Sequence, residues 1–203
     1  MSFARDAILA AVRSAIAGAT PSAPVQRSYR RDGERPLRDR IDLLSERLVD
    51  YRANVRRAGA FELRDAVEEL ARGRIGVPPG LPEEWRPAGA VEDHALRPHE
   101  LDALDGVLTG CTVAIAETGT LVLAGGRTEG RRALTLVPDL HVCVVRAEQV
   151  VETVPEAFDV LRGVARRPLT FVSGPSATSD IELKRVEGVH GPRRLVVVII
   201  EEG

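Results

Sequence analysis

Aromatic residues are scarce in this chain, at 3% of its 203 residues. A chain of this length can still bury a core of ordinary size, which must be built from Leu, Val, Ile and Ala. The scarcity argues against a platform on which the bases of single-stranded nucleic acid could stack. The formal net charge of −2 also offers no basic footprint for nucleic acid. We therefore expect no nucleic-acid partner.

The chain has only two cysteines, Cys111 and Cys143, and neither belongs to a Cys-x-x-Cys pair. Two isolated thiols cannot supply the four thiolates of an iron–sulfur cluster or of a cysteine-based zinc site. Both cysteines lie in apolar, strand-like runs, which predicts two buried, reduced thiols. No Gly-x-Gly-x-x-Gly fingerprint for a dinucleotide follows a strand. The sequence therefore predicts neither a metal site nor a bound cofactor.

Long apolar runs are also missing. No stretch approaches the roughly 20 residues that cross a bilayer. Near the start of the chain, Arg5, Asp6 and Arg13 interrupt the segment in which a signal peptide would have its apolar region. These features predict a cytoplasmic protein with no membrane partner.

The pattern of apolar residues predicts two parts. An amphipathic helix is expected near the start of the chain, followed by a segment rich in Pro, Ser and Arg that we interpret as a mobile linker. Together they form an N-terminal region over residues 1–36. Residues 37–203 are predicted to form an α/β domain with a largely parallel sheet flanked by helices. Its first helix is expected over residues 37–57.

Short β-rich runs alternate with helices in the second half of the chain. Helices are expected at 155–165 and 179–186. The last run is apolar throughout, which is typical of a central strand covered on both faces. The predicted runs are 112–116, 120–124, 133–137, 141–146, 169–172 and 195–200.

The turn between the first two of these runs reads Ala-Glu-Thr-Gly-Thr. Gly119 would allow a positive φ or the close approach of a ligand. Glu117 would lie at a strand end, where open α/β sheets place their ligands. These features predict Glu117 as a catalytic residue, with Thr118, Gly119 and Thr120 as ligand contacts. A tight hairpin with Glu117 in water is the alternative.

Two other segments could bind an anion. The Gly-rich loop 125–132 carries three arginines, which suit phosphate or carboxylate, and Arg127 and Arg131 are the selected candidates, although a solvated turn is equally open. This loop lacks the Lys-Ser/Thr of a nucleotide-binding P-loop. The segment 173–182 follows a strand and opens a helix, and free N–H groups at such a point bind anions. Its candidate ligand contacts are Ser173, Gly174, Ser176, Thr178 and Asp180.

His190 lies in the loop Gly-Val-His-Gly-Pro before the last strand. An imidazole titrates near neutral pH, so His190 is a candidate general acid or base. A structural histidine bonded to the backbone is the alternative. We expect the polar residues of these motifs to converge on one cleft at the strand ends that binds an anionic small molecule.

Four segments resemble the LUD domain of the lactate utilization protein C family in order and spacing. They are AETGTLVL at 116–123, LVPDLHVCVV at 136–145, VSGPSATSDIE at 172–182 and GVHGP at 188–192. The resemblance implies a fold similar to the CoA-transferase, ribose-5-phosphate isomerase and 5-formyltetrahydrofolate cyclo-ligase group. Ala177 stands where the motif often has Arg, so a contact made by that Arg would be missing here.

The resemblance also implies a function. The chain would be a component of L-lactate oxidation to pyruvate that acts with iron–sulfur proteins encoded in the same operon. A small-molecule enzyme that binds an acyl-CoA, a nucleotide or a sugar phosphate is the alternative, with Glu117 as its nucleophile by analogy with some CoA transferases. A non-catalytic regulatory or scaffold protein is the second alternative.

Overall fold

A computed structural model describes residues 3–18, 30–175 and 191–201. The chain divides into two compact units, Met1–Arg30 and Arg31–Gly203. The first contains helix α1 (Phe3–Ile16), which coincides with the helix expected near the start of the chain. No helix in the described ranges is both long and apolar enough to cross a membrane.

The larger unit is built on a six-stranded sheet in which every pair of neighbouring strands is parallel. The three central strands are buried along almost their whole length, which explains their nearly unbroken apolar sequences. In order across the sheet, the strands are β1 (Asn54–Gly59), β10 (Arg194–Glu201), β7 (Leu140–Arg146), β4 (Gly106–Gly110), β2 (Ile75–Val77) and β3 (Val91–Glu92).

A second, four-stranded sheet carries the predicted hairpin. The order across this sheet is β8 (Val150–Val151), β5 (Val113–Ile115), β6 (Thr120–Leu123) and β9 (Thr170–Val172). Strands β5 and β6 are antiparallel, β9 is antiparallel to β6, and β8 is parallel to β5.

The six-stranded sheet is covered on both faces. On one face, Leu44 and Leu48 of helix α2 (Leu37–Asp50) pack with the hairpin against Cys143 and Val197. On the other face, helix α3 (Leu63–Leu70) packs against residues such as Val198. Two further helices are α4 (Pro98–Asp102) and α5 (Val154–Leu161). The predicted class, a largely parallel sheet flanked by helices, is confirmed.

The two cysteines are buried and free, as predicted. Two other expectations are wrong. The helix expected over 37–57 ends at Asp50, because Arg52 has a positive φ of 65° and the chain then turns into β1. The run 133–137 forms turns rather than a strand, because the buried Leu134 fills a small apolar cluster beside α4.

Residues 31–36, hereafter the strap, lie against the start of α5. The buried carboxylate of Glu152 accepts hydrogen bonds from the backbone N–H and the guanidinium of Arg35, both at 2.7 Å. The backbone N–H of Gly33 donates to Glu156 at 3.1 Å. These contacts assign the strap to the larger unit. The mobile linker and the boundary at residue 36 stay predictions, and residues 19–29 lie outside the described part.

We expect Arg35→Ala to loosen the strap. Glu152 would stay buried but lose its hydrogen bond from the Arg35 guanidinium, at a cost of about 1 kcal/mol, kept small because the Arg35 side chain is half-exposed. Hydrogen exchange at the amides of residues 33 and 35 should become several-fold faster, because a loss of about 1 kcal/mol in local stability raises the opened fraction by that factor. Arg38→Ala is the control, since Arg38 is exposed and bonds to none of the described residues. Unchanged exchange at Gly33 would contradict the expectation.

Candidate functional site

The structure joins two of the predicted segments through a line of hydroxyls. Thr120 Oγ1 lies 2.7 Å from Thr118 Oγ1 and 2.7 Å from Ser173 Oγ. The contact arises because β9 runs antiparallel to β6, so the residue that follows β9 meets the first residue of β6. Thr120 and Ser173, which are 53 residues apart in the sequence, are thus brought into contact.

Close packing against the end of α2 accounts for two of the predicted glycines. Gly119 has a φ of 60°, and a Cβ there would lie 2.7 Å from Cβ of Arg47. Gly174 has a φ of 94°, and a Cβ there would lie 2.7 Å from the carbonyl oxygen of Tyr51. Both positions therefore require glycine for the backbone, and their contact with a ligand stays a prediction.

A cleft opens beside Ser173 in two adjoining parts. The smaller, of about 90 Å³, is lined by His141, Ser173 and Leu195 among others, and it includes Gly191 of the Gly-Val-His-Gly-Pro motif. The larger, of about 310 Å³, extends past the loop 125–132. Three residues line both parts: Arg132, Thr135 and Thr170. We call this the amino-edge cleft, because it lies where β7 and β10 begin.

Arg132 lines both parts of the amino-edge cleft. Its Nη1 donates to the carbonyl and hydroxyl oxygens of Thr135, both at 3.1 Å. Across the described ranges, no carboxylate pairs with this guanidinium. The residue is exposed as a whole, although partial burial of its charged group lowers the pKa of Arg132. A guanidinium that lines a cleft and has no described counter-ion favours an anionic ligand.

His141 forms part of the wall of the smaller part. It is fully buried, and its Nε2 lies 2.8 Å from the hydroxyl of Thr109. Its Nδ1 has no hydrogen-bond partner within the described residues. Burial, and secondarily the charge of Arg132, lowers the pKa of His141 to about 4. The imidazole is therefore neutral near pH 7 and can donate or accept one hydrogen bond.

The structure places the two predicted arginines of the loop 125–132 differently. Arg131 donates through Nε and Nη2 to the buried Asp93, at 2.7 and 2.8 Å. Burial opposes ionisation of Asp93, but Arg131 and the N–H of Leu96 outweigh it and lower the pKa of the carboxyl. The guanidinium of Arg131 is thus paired with Asp93, although Arg131 lines the larger part of the cleft. Arg127 is exposed. Ligand binding by either arginine stays a prediction.

Glu117 is half-buried at the end of β5, and its backbone N–H donates to the carbonyl oxygen of Glu152 at 3.1 Å. It does not line the amino-edge cleft. The other predicted site residues, Ser176, Thr178, Asp180 and His190, and the helix expected over 179–186 lie outside the described residues. Of the hydroxyl line, only Ser173 lines the amino-edge cleft, and the expected convergence of the predicted residues on one cleft stays a prediction.

Arg132, Thr135 and His141 are among the cleft residues that were not selected as site residues from the sequence. One signal was present: His141 is a polar residue within an otherwise apolar strand. Arg132 differs from Arg127 and Arg131 only by its place in the fold. Within the described ranges, no group of three or more His, Cys, Asp or Glu residues is arranged to hold a metal ion.

Comparison with known proteins gives a consistent family relationship. The family model of the LUD domain matches residues 51–200. Lactate utilization protein C of Deinococcus radiodurans is 44% identical over 204 residues, which cover 95% of this chain and 93% of that protein. The protein of that name from Geobacillus kaustophilus is 30% identical over 60% of this chain and 55% of its own length.

A solved structure extends the likeness to the fold. The crystal structure of a DUF162 family protein from Deinococcus radiodurans matches with a TM-score of 0.73 and 40% identity. The match covers 83% of this chain and 100% of that one. At this identity, the two chains share the arrangement of a mostly parallel sheet with flanking helices.

Proposed function

The chain belongs to the LUD-domain family, and on that premise we propose that it acts in lactate utilization by binding a small carboxylate in the amino-edge cleft. The observation that carries the proposal is the guanidinium of Arg132, which lines both parts of the cleft and pairs with no described carboxylate. A guanidinium binds a carboxylate through two parallel hydrogen bonds. The relatives named for lactate utilization supply the substrate class.

The smaller part of the cleft favours a molecule of a few non-hydrogen atoms. Its smaller part, at about 90 Å³, is well below the roughly 300 to 1,000 Å³ that encloses drug-sized ligands. With a carboxylate on Arg132, the oxygen on the neighbouring carbon could bond to Nδ1 of the neutral His141 or to the hydroxyl of Ser173. A 2-hydroxy or 2-oxo acid such as lactate or pyruvate has this arrangement of oxygens.

The catalytic roles of Glu117 and His190 belong to the same proposal. Glu117 does not line the cleft, and its connection to the cleft is indirect: Thr118 follows it in the turn, and the hydroxyl line ends at Ser173 in the cleft wall. Oxidation of lactate to pyruvate releases two electrons and two protons. The two isolated cysteines of this chain cannot bind an iron–sulfur cluster. We therefore assign electron transfer to iron–sulfur partner proteins of the same operon.

We expect Arg132→Gln to weaken binding of L-lactate and of pyruvate about ten-fold or more, because a charge-assisted hydrogen bond contributes roughly 1.5 to 3 kcal/mol. Isothermal titration calorimetry measures the dissociation constants. Arg72→Gln is the matched control, since Arg72 is exposed and lines neither part of the cleft. Equal affinity of wild type and Arg132→Gln would refute the proposed site.

The partner assignment has its own test. The tagged chain should co-purify with the iron–sulfur proteins of its operon, and iron and sulfide should be present in the complex. A regulatory or scaffold protein would bind those partners but not lactate. A free-standing enzyme would turn over its substrate without them. These outcomes separate the three functions considered from the sequence.

A further inference from the structure

A second cleft lies at the carboxyl edge of the six-stranded sheet, where β1, β7 and β10 end. It has a volume of about 470 Å³. Arg146 is the last residue of β7, Ile200 lies near the end of β10, and Phe61 and Arg64 follow β1. Ligands of open parallel sheets bind in the crevice at this edge. The amino-edge cleft and this carboxyl-edge cleft share no residue.

Two guanidinium groups in the carboxyl-edge cleft form no ion pair with any carboxylate that the structure describes. Arg146 lies over the ring of Trp85, with Cζ 5.0 Å from the ring centroid. This stacking fixes the guanidinium in place while its N–H groups donate to none of the described side chains or carbonyls. Arg64 donates one hydrogen bond, to the carbonyl oxygen of Glu83 at 3.3 Å. Within the described ranges, neither arginine forms an ion pair.

The same cleft presents an exposed aromatic ring. Phe61 is fully exposed in a chain in which aromatic residues make up only 3%. A planar group could stack on it and on the outer face of the Arg146 guanidinium. The carboxylates of Asp65, Glu84 and Glu148 also line the cleft and can accept hydrogen bonds from N–H or O–H groups of a ligand.

We propose that the carboxyl-edge cleft binds a nucleoside monophosphate. The phosphate would contact Arg64 and Arg146, and the base would stack on Phe61. The ribose hydroxyls or a base amino group would donate to the carboxylates. This ligand class combines the anion, the planar ring and the hydrogen-bond donors for which the cleft has complementary groups. The volume lies within the range of pockets that enclose ligands of such size.

Titration with AMP tests the site directly. Trp85 is the only Trp of the chain, so a saturable change in its fluorescence reports an event in this cleft. By calorimetry, Arg64→Gln and Arg146→Gln should each weaken AMP about ten-fold or more. Phe61→Leu should weaken it about ten-fold through lost stacking. Phe158→Leu is the control, because Phe158 is a half-exposed ring that lies outside this cleft.

Three further ligands and one variant complete the test. Adenosine, which lacks the phosphate, should bind at least about ten-fold more weakly than AMP. Arg132→Gln and saturating L-lactate should leave AMP affinity unchanged. Failure of AMP to saturate, or unchanged affinity in both arginine variants, would overturn the proposal. Equal binding of ribose 5-phosphate and AMP would also overturn it, since the base would then contribute nothing.

Discussion

Glu129→Ala is expected to lower the free energy of unfolding by about 3 kcal/mol. The Glu129 carboxylate is buried, and its Oε2 accepts the backbone N–H groups of Ala124 and Gly126 at 2.7 and 2.8 Å. Its Oε1 accepts the hydroxyl of Thr112. Removal of the carboxylate leaves these donors without an acceptor in a region that water reaches poorly, and each unsatisfied donor is costly.

The measurement is urea unfolding at neutral pH, with two comparisons. Glu129→Gln keeps one carbonyl oxygen for the backbone donors, so we expect a loss of only about 1 kcal/mol. Glu68→Ala removes an exposed carboxylate of α3 and should change stability by less than about 0.5 kcal/mol. If Glu129→Ala were as stable as Glu68→Ala, the loop would not depend on this carboxylate.

Removal of the Glu129 carboxylate should also affect the amino-edge cleft. Glu129 fixes the loop 125–132, which brings Arg132 to the cleft. We therefore expect weaker lactate binding in Glu129→Ala even where the variant is folded. The sequence suggested a Gly-rich loop with several cations. In the structure, the buried carboxylate of Glu129 holds this loop through hydrogen bonds to its backbone.

Lowering the pH from about 7.5 to about 5 is expected to cost about 2 kcal/mol of stability through His141 alone. The folded-state pKa of about 4 lies below the ordinary value of 6.5. Between these two values the unfolded chain binds a proton that the folded chain does not. The unfolded state is therefore favoured as the pH falls through this window, and the contribution is absent above it.

The pH dependence is measured by urea unfolding at both pH values. His141→Gln lacks the titrating group, so its stability should fall by about 2 kcal/mol less over this interval than that of the wild type. His99→Gln removes an exposed imidazole and should retain the wild-type slope. Should His141→Gln fail to fold, nuclear magnetic resonance of the His141 ring in the wild type gives the pKa directly. A value near 6.5 would contradict the expectation.

Local sequence determined most of the secondary structure of the larger unit. The hairpin of β5 and β6 followed from two apolar runs separated by a turn that contains Gly119, because alternation and turn chemistry involve only neighbouring residues. The continuous apolar run of β10 indicated a central strand, which the structure places between β1 and β7. The family motifs identified the domain, since their order and spacing are also properties of the sequence.

Local sequence pattern gave the wrong secondary structure where contacts with distant parts of the chain determine the conformation. The predicted helix over 37–57 continued the apolar spacing too far, because the positive φ of Arg52 and the pairing of β1 with β10 are not visible in that spacing. The run 133–137 has the composition of a strand. Its Leu134 instead packs beside α4, and no neighbouring strand pairs with it.

Only the tertiary structure decided which charged groups are paired and which face a cleft. Arg131 and Arg132 are adjacent, yet Asp93 neutralises the first and no described carboxylate pairs with the second. The partners of Glu152 and His141 lie 117 and 32 residues away. The order of strands across the sheet sets these distances, and burial then sets the pKa of His141. Residue type and spacing determine which groups are present, but water exclusion and ion pairing depend on the packing of distant segments.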